Sequence, residues 1–164
     1  MIILGIDPGI ALVGYGVIRY DGNRISCLEY GCIETKAGIS LPERLGIIYR
    51  EMDAIISQFK PDEVAFEELF FYQNKKTAIM VAQARGVEIL ACQSRGLGIF
   101  EYTPLQIKQA ITGYGRANKL QIQQSVQALL RLDCLPKPDD AADGLAVAIC
   151  HAFGQRFKEA ERMA

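Results

Sequence analysis

Ile2-Ile3-Leu4-Gly5-Ile6-Asp7-Pro8-Gly9 is the stretch on which the fold turns. A short apolar run closed by an acid and then Pro-Gly reads as a buried strand with a turn at its carboxyl end. It lacks the basic start and small-residue cleavage site of a signal peptide, so it is taken as the first strand. A second strand follows over 12–20. Asp21-Gly22-Asn23 then signals a hairpin into a third strand over 25–34, so strands two and three pair antiparallel. Leu41-Pro42-Glu43 opens a helix, with Pro and Glu suited to its first turn. Leu45, Ile48, Met52, Ile55, Ile56 and Phe59 give that helix one apolar face, and Lys60-Pro61-Asp62 ends it. A fourth strand over 63–67 comes after this helix and is expected to run parallel to the first. Further helices are expected over about 75–94, 104–111, 120–132 and 139–157, with a fifth strand over 97–102. The order predicts one α/β domain over 1–157, a mixed five-stranded sheet flanked by helices, and a frayed tail over 158–164.

Composition narrows the class. The chain has 164 residues, half of them apolar, which suits one domain with a real core. No apolar run approaches the roughly 20 residues of a membrane span. Cys27, Cys32, Cys92, Cys134 and Cys150 are odd in number and form no Cys-x-x-Cys pair. They read as mostly buried, reduced thiols of a cytoplasmic protein. His151, the only histidine, reads as structural. The net charge of −1 argues mildly against nucleic acid, but its distribution argues the other way. Segments 69–87 and 102–132 hold no Asp or Glu, while Lys108, Arg116, Lys119 and Arg131 lie in the second. A basic surface and ordinary helix solvation explain this equally well.

Two features point beyond packing. The helix over 75–94 carries Ala78, Ile79, Met80, Val81, Ala84 and Leu90 around most of its circumference. A helix apolar all round is expected to be buried on every side, under a second subunit or under the C-terminal helices. The second feature is a set of four acids. Asp7 ends the first strand and Glu67 the fourth, so parallel neighbours bring both to one sheet edge. Asp140 and Asp143, at i and i+3, share one face of a helix start. Any one of them is explained as a turn residue, a cap or a solvated strand end. The set suits a hard cation such as Mg²⁺, which takes oxygen ligands and activates water against a phosphodiester.

These residues resemble a known family. Gly5-Ile6-Asp7-Pro8-Gly9 with Gly14-Tyr15-Gly16-Val17-Ile18, then Phe66-Glu67-Glu68-Leu69-Phe70, Gln83-Ala84-Arg85-Gly86-Val87, and Asp140-Ala141-Ala142-Asp143-Gly144 are similar to the motifs of the RuvC Holliday-junction resolvases. Order and spacing match over about 1–152. The resemblance implies a ribonuclease-H-like fold, consistent with three antiparallel strands followed by βα units. It implies a homodimeric, Mg²⁺-dependent endodeoxyribonuclease, with Mn²⁺ as a substitute, that resolves four-way DNA junctions in recombination and repair by paired symmetric nicks. Asp7, Glu67, Asp140 and Asp143 fall on the family's catalytic tetrad, Lys108 and Lys119 on its basic positions, and Phe70 on its base-stacking wedge. A branch-migration helicase complex of RuvA and RuvB is the implied partner. The residues themselves agree. Aromatics at Phe70, Phe71 and Tyr72 can stack on unpaired bases, and the acid-free stretch holding Lys108, Arg116 and Lys119 can track phosphates.

Three other readings stay open on the sequence. An actin-like nucleotide-binding protein opens with a similar Gly-x-Asp-x-Gly strand and turn, although that class needs two such domains. A non-catalytic junction-binding module would keep the surface without the chemistry. A nuclease of the same fold acting on RNA or other DNA is separated only by the resemblance.

Overall fold

The computed structural model describes residues 1–69 and 75–154. Its elements are β1 (Ile2–Asp7), β2 (Leu12–Tyr20), β3 (Ile25–Glu34), α1 (Leu41–Phe59), β4 (Glu63–Glu67), α2 (Lys75–Gln93), β5 (Gly98–Tyr102), α3 (Pro104–Thr112), α4 (Lys119–Leu130) and α5 (Asp139–Phe153). The sheet order is β3-β2-β1-β4-β5. The β1–β2 and β2–β3 pairs are antiparallel, while β1–β4 and β4–β5 are parallel. This is the mixed, ribonuclease-H-like sheet expected from the sequence. The last helix is described over Asp139–Phe153, and positions 155–164, which include the rest of the expected 139–157, lie outside the described residues.

Each strand alternates between two cores, because successive side chains leave a strand on opposite faces. Ile3, Ile18, Ala65 and Phe100 pack against α3, α4 and α5. Leu4, Ile6, Val17, Val64 and Phe66 pack against α1 and α2. Helix starts are set locally. Ser40, Thr103 and Asn118 each accept from the backbone N–H three residues on, and Glu43, Gln106 and Gln121 reach back to complete a capping box. α1 and α3 stop at left-handed caps, Lys60 and Gly113.

α5 lies closer to the sheet than side chains normally permit. A Cβ on Gly14 would stand 1.9 Å from the Asp140 carbonyl oxygen, and one on Gly144 would stand 2.6 Å from the Tyr15 backbone. Only glycine allows this backbone-to-backbone contact. It seats the first turn of α5 against β2, beside the carboxyl end of β1.

α2 is not buried all round: Ala84, Glu88, Ala91 and Cys92 are buried, but Ile79 is 62% and Leu90 56% exposed. The reason is topological. α1 and the sheet cover one side of α2, and the C-terminal helices that were one candidate cover lie on the opposite face of the sheet. Of the cysteines, all free, Cys92 and Cys150 are buried, Cys27 and Cys32 half-buried, and Cys134 exposed. Burial therefore holds for fewer of them than the sequence suggested. His151 is structural, as expected. It is fully buried, with Nδ1 2.8 Å from the Tyr102 hydroxyl and Nε2 2.8 Å from Glu63 Oε2.

The glycine contact makes a direct prediction. Gly14→Ala forces a methyl group into the α5 backbone, so the variant is expected to lose about 1–3 kcal/mol, the usual cost of overpacking. Urea unfolding checks this, and a midpoint unchanged from the parent chain would show that the contact is slack.

Candidate active site

The two faces of the sheet decide where the acids point. In β1, Ile3, Gly5 and Asp7 fall on one face, and Gly5 packs against Gly144 and Ala148 of α5. In β4, Glu63, Ala65 and Glu67 share that same face, where Ala65 lies in the α5 core and Glu63 meets His151. The strands are parallel with Ile6 beside Phe66, so Asp7 and Glu67 stand one step further, at the same edge. α5 starts at that edge with Asp139-Asp140, and Asp143 follows one turn later. Three separate elements thus bring Asp7, Glu67, Asp140 and Asp143 together.

Their electrostatics show the proximity. Burial pushes the Asp7 carboxyl up to about 8, helped by the charges of Glu67, Asp143, Asp140 and Glu88. Burial also raises Glu67 to about 7, with Asp143 adding to the rise and Lys108 and Lys119 opposing it. Asp143 is raised chiefly by burial. Lys119 and Lys108 pull it down, and Asp140 and Asp139 push it up. Half-buried acids that repel one another favour a site for positive charge.

A cleft of about 370 Å³ opens at this edge. Glu67 and Asp143 line one side of it, and Lys108, Asn118 and Lys119 line the other. The lysines predicted to meet DNA therefore also face the acids. Lys119 lies 3.9 Å from Asp139, an exposed pair of little energetic weight. Arg116 is exposed in the α3–α4 connection and is not part of the cleft lining. Phe70, with Phe71 and Tyr72, lies outside the described residues.

The donor set suits a hard divalent cation in chemistry and charge: four carboxylates, two of them held well above their ordinary pKa. The side chains are not drawn around a single point. Among the described residues no three His, Cys, Asp or Glu groups are spaced to hold a metal ion. A bound cation would offset the mutual repulsion of these acids.

Sequence reasoning missed two neighbours of the site. Cys32 pairs across the sheet with Gly14 and lies near Asp140, with the Ala141 N–H close to its thiol. Glu88 of α2 has no solvent exposure, and Asp7 senses its charge. A signal for Glu88 was present: it is the acid that ends the acid-free segment 69–87, set among apolar residues of a helix.

Comparison with known proteins adds an independent line. The family model described as "Crossover junction endodeoxyribonuclease RuvC" matches residues 3–151. The protein of that name from Finegoldia magna is 60% identical over 163 residues, covering 99% of each chain. That from Clostridioides difficile is 54% identical over 159 residues, covering 97% of this chain and 94% of the other. Thermus thermophilus RuvC has a TM-score of 0.90 at 34% identity, covering 99% of this chain and 100% of its own. The same protein in complex with Holliday junction substrate gives 0.93 at 35% identity, covering 99% of each chain. The yeast mitochondrial Holliday junction resolvase shares the fold alone, with a TM-score of 0.70 at 11% identity, over 96% of this chain and 80% of that one. With a family model spanning all five strands and most of α5, and full-length relatives at this identity, the chain belongs to the RuvC family of crossover junction endodeoxyribonucleases.

Proposed function

We propose that this chain resolves four-way DNA junctions by paired, symmetry-related nicks, with Asp7, Glu67, Asp140 and Asp143 holding Mg²⁺, for which Mn²⁺ can substitute. The observation that carries the reading is the gathering of four acids from β1, β4 and α5 at one edge of the sheet, where Glu67 and Asp143 share a cleft with Lys108 and Lys119. Family membership and a Thermus relative seen with Holliday junction substrate support the choice of DNA junction over RNA. When bound, the cation lowers the pKa of water and stabilises the leaving oxygen of the phosphodiester. The chain's own residues do the rest. The four carboxylates supply the oxygen ligands. Lys108 and Lys119 pair with phosphates and balance the acids. Phe70 and Arg116 contact the DNA.

The exposed side of α2 supports a homodimer. Ile79 and Leu90 present apolar surface there, and Gly86 between them leaves open space for close approach. Two-fold pairing would give two active sites, one for each nick. The helicase complex of RuvA and RuvB and a cytoplasmic location rest on family membership alone. Among the described residues no helix is long and apolar enough to cross a membrane.

Three outcomes test this. Asp7→Asn is expected to bind a synthetic four-way junction normally and to lose nicking in Mg²⁺ by more than the roughly 10–100-fold typical of a residue that merely supports a ligand. Glu67→Gln, Asp140→Asn and Asp143→Asn should match it in a gel-based nicking assay, and full activity in all four would remove the metal site. Lys108→Ala and Lys119→Ala should each weaken junction binding and flatten the dependence of log K on log salt by about one unit. An unchanged slope would take the phosphate contact away from that lysine. Ala82→Glu places a charge on the exposed side of α2, so it should sediment as a folded monomer where the parent chain sediments as a dimer. A monomeric parent chain at micromolar concentration would end the dimer reading.

A further inference from the structure

His151, near the end of α5, is fully buried and engages two neighbouring strands at once. Its Nε2 lies 2.8 Å from Glu63 Oε2 at the start of β4, and its Nδ1 lies 2.8 Å from the Tyr102 hydroxyl at the end of β5. A carboxylate only accepts, so Nε2 donates to Glu63, and in the neutral ring Nδ1 accepts from Tyr102. The Phe100 ring packs beside the imidazole, with centroids 4.6 Å apart. Glu63 is itself mostly covered, its side chain 19% exposed. Burying three polar groups in an otherwise apolar layer calls for a reason beyond filling space.

The way α5 lies on the sheet supplies one. Gly5, Gly14 and Gly16 let the helix rest close to β1 and β2, which fixes its depth. The helix is rich in alanine on its own side, at Ala141, Ala142, Ala146 and Ala148, so little side-chain relief resists sliding along the strands. Toward β4 the helix is held by the bond from His151 to Glu63. The lengths of the two elements match. From Glu63 to Glu67 the strand rises about 13 Å. From His151 back to Asp143 the helix rises about 12 Å. The two run in opposite directions. β1 pairs Ile3 with Glu63 and Gly5 with Ala65, and Gly5 in turn meets Gly144 and Ala148, which lie between Asp143 and His151. A helix that seats His151 on Glu63 therefore brings Asp143 level with Glu67, and these two acids do line one cleft.

We propose that His151 is a positioning residue for the site: bonded to Glu63 and Tyr102, it fixes the place of α5 along β4 and β5 and so sets Asp143 against Glu67 at the other end of the same helix and strand. Setting register is the best-attested use of a buried polar group. The glycines decide how close α5 lies, and the three polar side chains decide how far along. His151 touches neither the substrate nor the reacting atoms.

The role of His151 rests on the reading of Glu67 and Asp143 as cation-holding acids, so Asp143→Asn is the control. Cation binding is read as the rise in melting temperature with added Mn²⁺ or Mg²⁺, independently of cleavage. The cation concentration for half-maximal nicking of a synthetic four-way junction is read in parallel. Glu63→Ala removes the acceptor and should need roughly 10–100-fold more cation in both, with junction binding in chelator unchanged. His151→Leu should match it, and the double variant should need no more than either alone, because each removes the same contact. Glu63→Gln keeps an oxygen acceptor for Nε2 and should stay close to the parent chain. Ile56→Val, a truncation in the core on the other face of the sheet, should lower the melting temperature and leave the cation requirement alone. Should the Ala or Leu variant melt below the assay temperature, Tyr102→Phe replaces it in the same comparison. A folded Ala, Leu or Phe variant with the parent's cation requirement overturns the proposal. So do a Gln variant as impaired as the Ala one, additive losses in the double variant, and an Ile56→Val variant that needs equally more cation. If Asp143→Asn itself binds cation and nicks normally, it is the assignment of Asp143 that fails. If Asp143→Asn is dead while the Glu63 and His151 variants are normal, only the role of His151 fails.

Discussion

The close contact of α5 with β1 and β2 is the constraint on which the site depends. Gly5, Gly14 and Gly16 in the strands and Gly144 in the helix remove every Cβ that would hold the two layers apart. Without it, side chains would hold the helix away from the sheet backbone. With it, the first turn of α5 lies on the backbone of β2, and Asp140 and Asp143 come level with the end of β1. The acids are therefore placed by backbone contact, which is stiff, rather than by side-chain packing, which adjusts. A Leu or Ile core elsewhere tolerates exchange, while these glycines do not.

That placement has an electrostatic cost. Asp7 is held at about 8 by burial and by its acidic neighbours, far above an ordinary carboxyl. Such a group binds a proton in the folded chain that the unfolded chain releases, so the cation-free protein loses stability as pH rises from the ordinary carboxylate range toward 8. Some of the cost is offset locally. Asp139 and Asp140 sit in the first turn of α5, where the helix dipole favours negative charge. Lys108 and Lys119 lower Glu67 and Asp143 from across the cleft. The remainder is a stability cost that a bound cation would offset.

The strands were legible because period-2 apolar patterning and Pro-Gly, Asp-Gly and Lys-Pro signals are local physics. The four acids were legible because strand ends and an i, i+3 pair are local too, once the sheet order is known. What the sequence hid depends on tertiary cover. The circumference of α2 is apolar, but composition cannot say which side is covered, and here much of it is not. Ser40, which caps α1, was legible too, because Ser40 with Glu43 three residues on is the capping-box pattern. Lys108 and Lys119 read as a track for phosphates, whereas folding also sets them against the acids.

Two adjacent pairs show how finely the chemistry is phased. Glu67 and Glu68 are chemically equal neighbours, but one step along a strand reverses the face. Glu67 turns to α5, Asp143 and the lysines, while Glu68 stands with Arg85, Gly86 and Glu101 on the α2 side. Its backbone N–H donates to the Tyr102 carbonyl, which keeps the chain beside β5 for one residue beyond β4. Asp139 and Asp140 divide in the same way around a helix. Asp139 accepts from Gln123 of α4 at 2.9 Å and so fastens α5 to its neighbour, while Asp140 lies against Gly14 and adds its charge to Asp7. In both pairs one residue joins neighbouring elements, Glu68 through its backbone N–H and Asp139 through its carboxylate, while its neighbour lies at the site. A single-residue shift in register would turn Glu67 and Asp140 away from the site while leaving the composition unchanged.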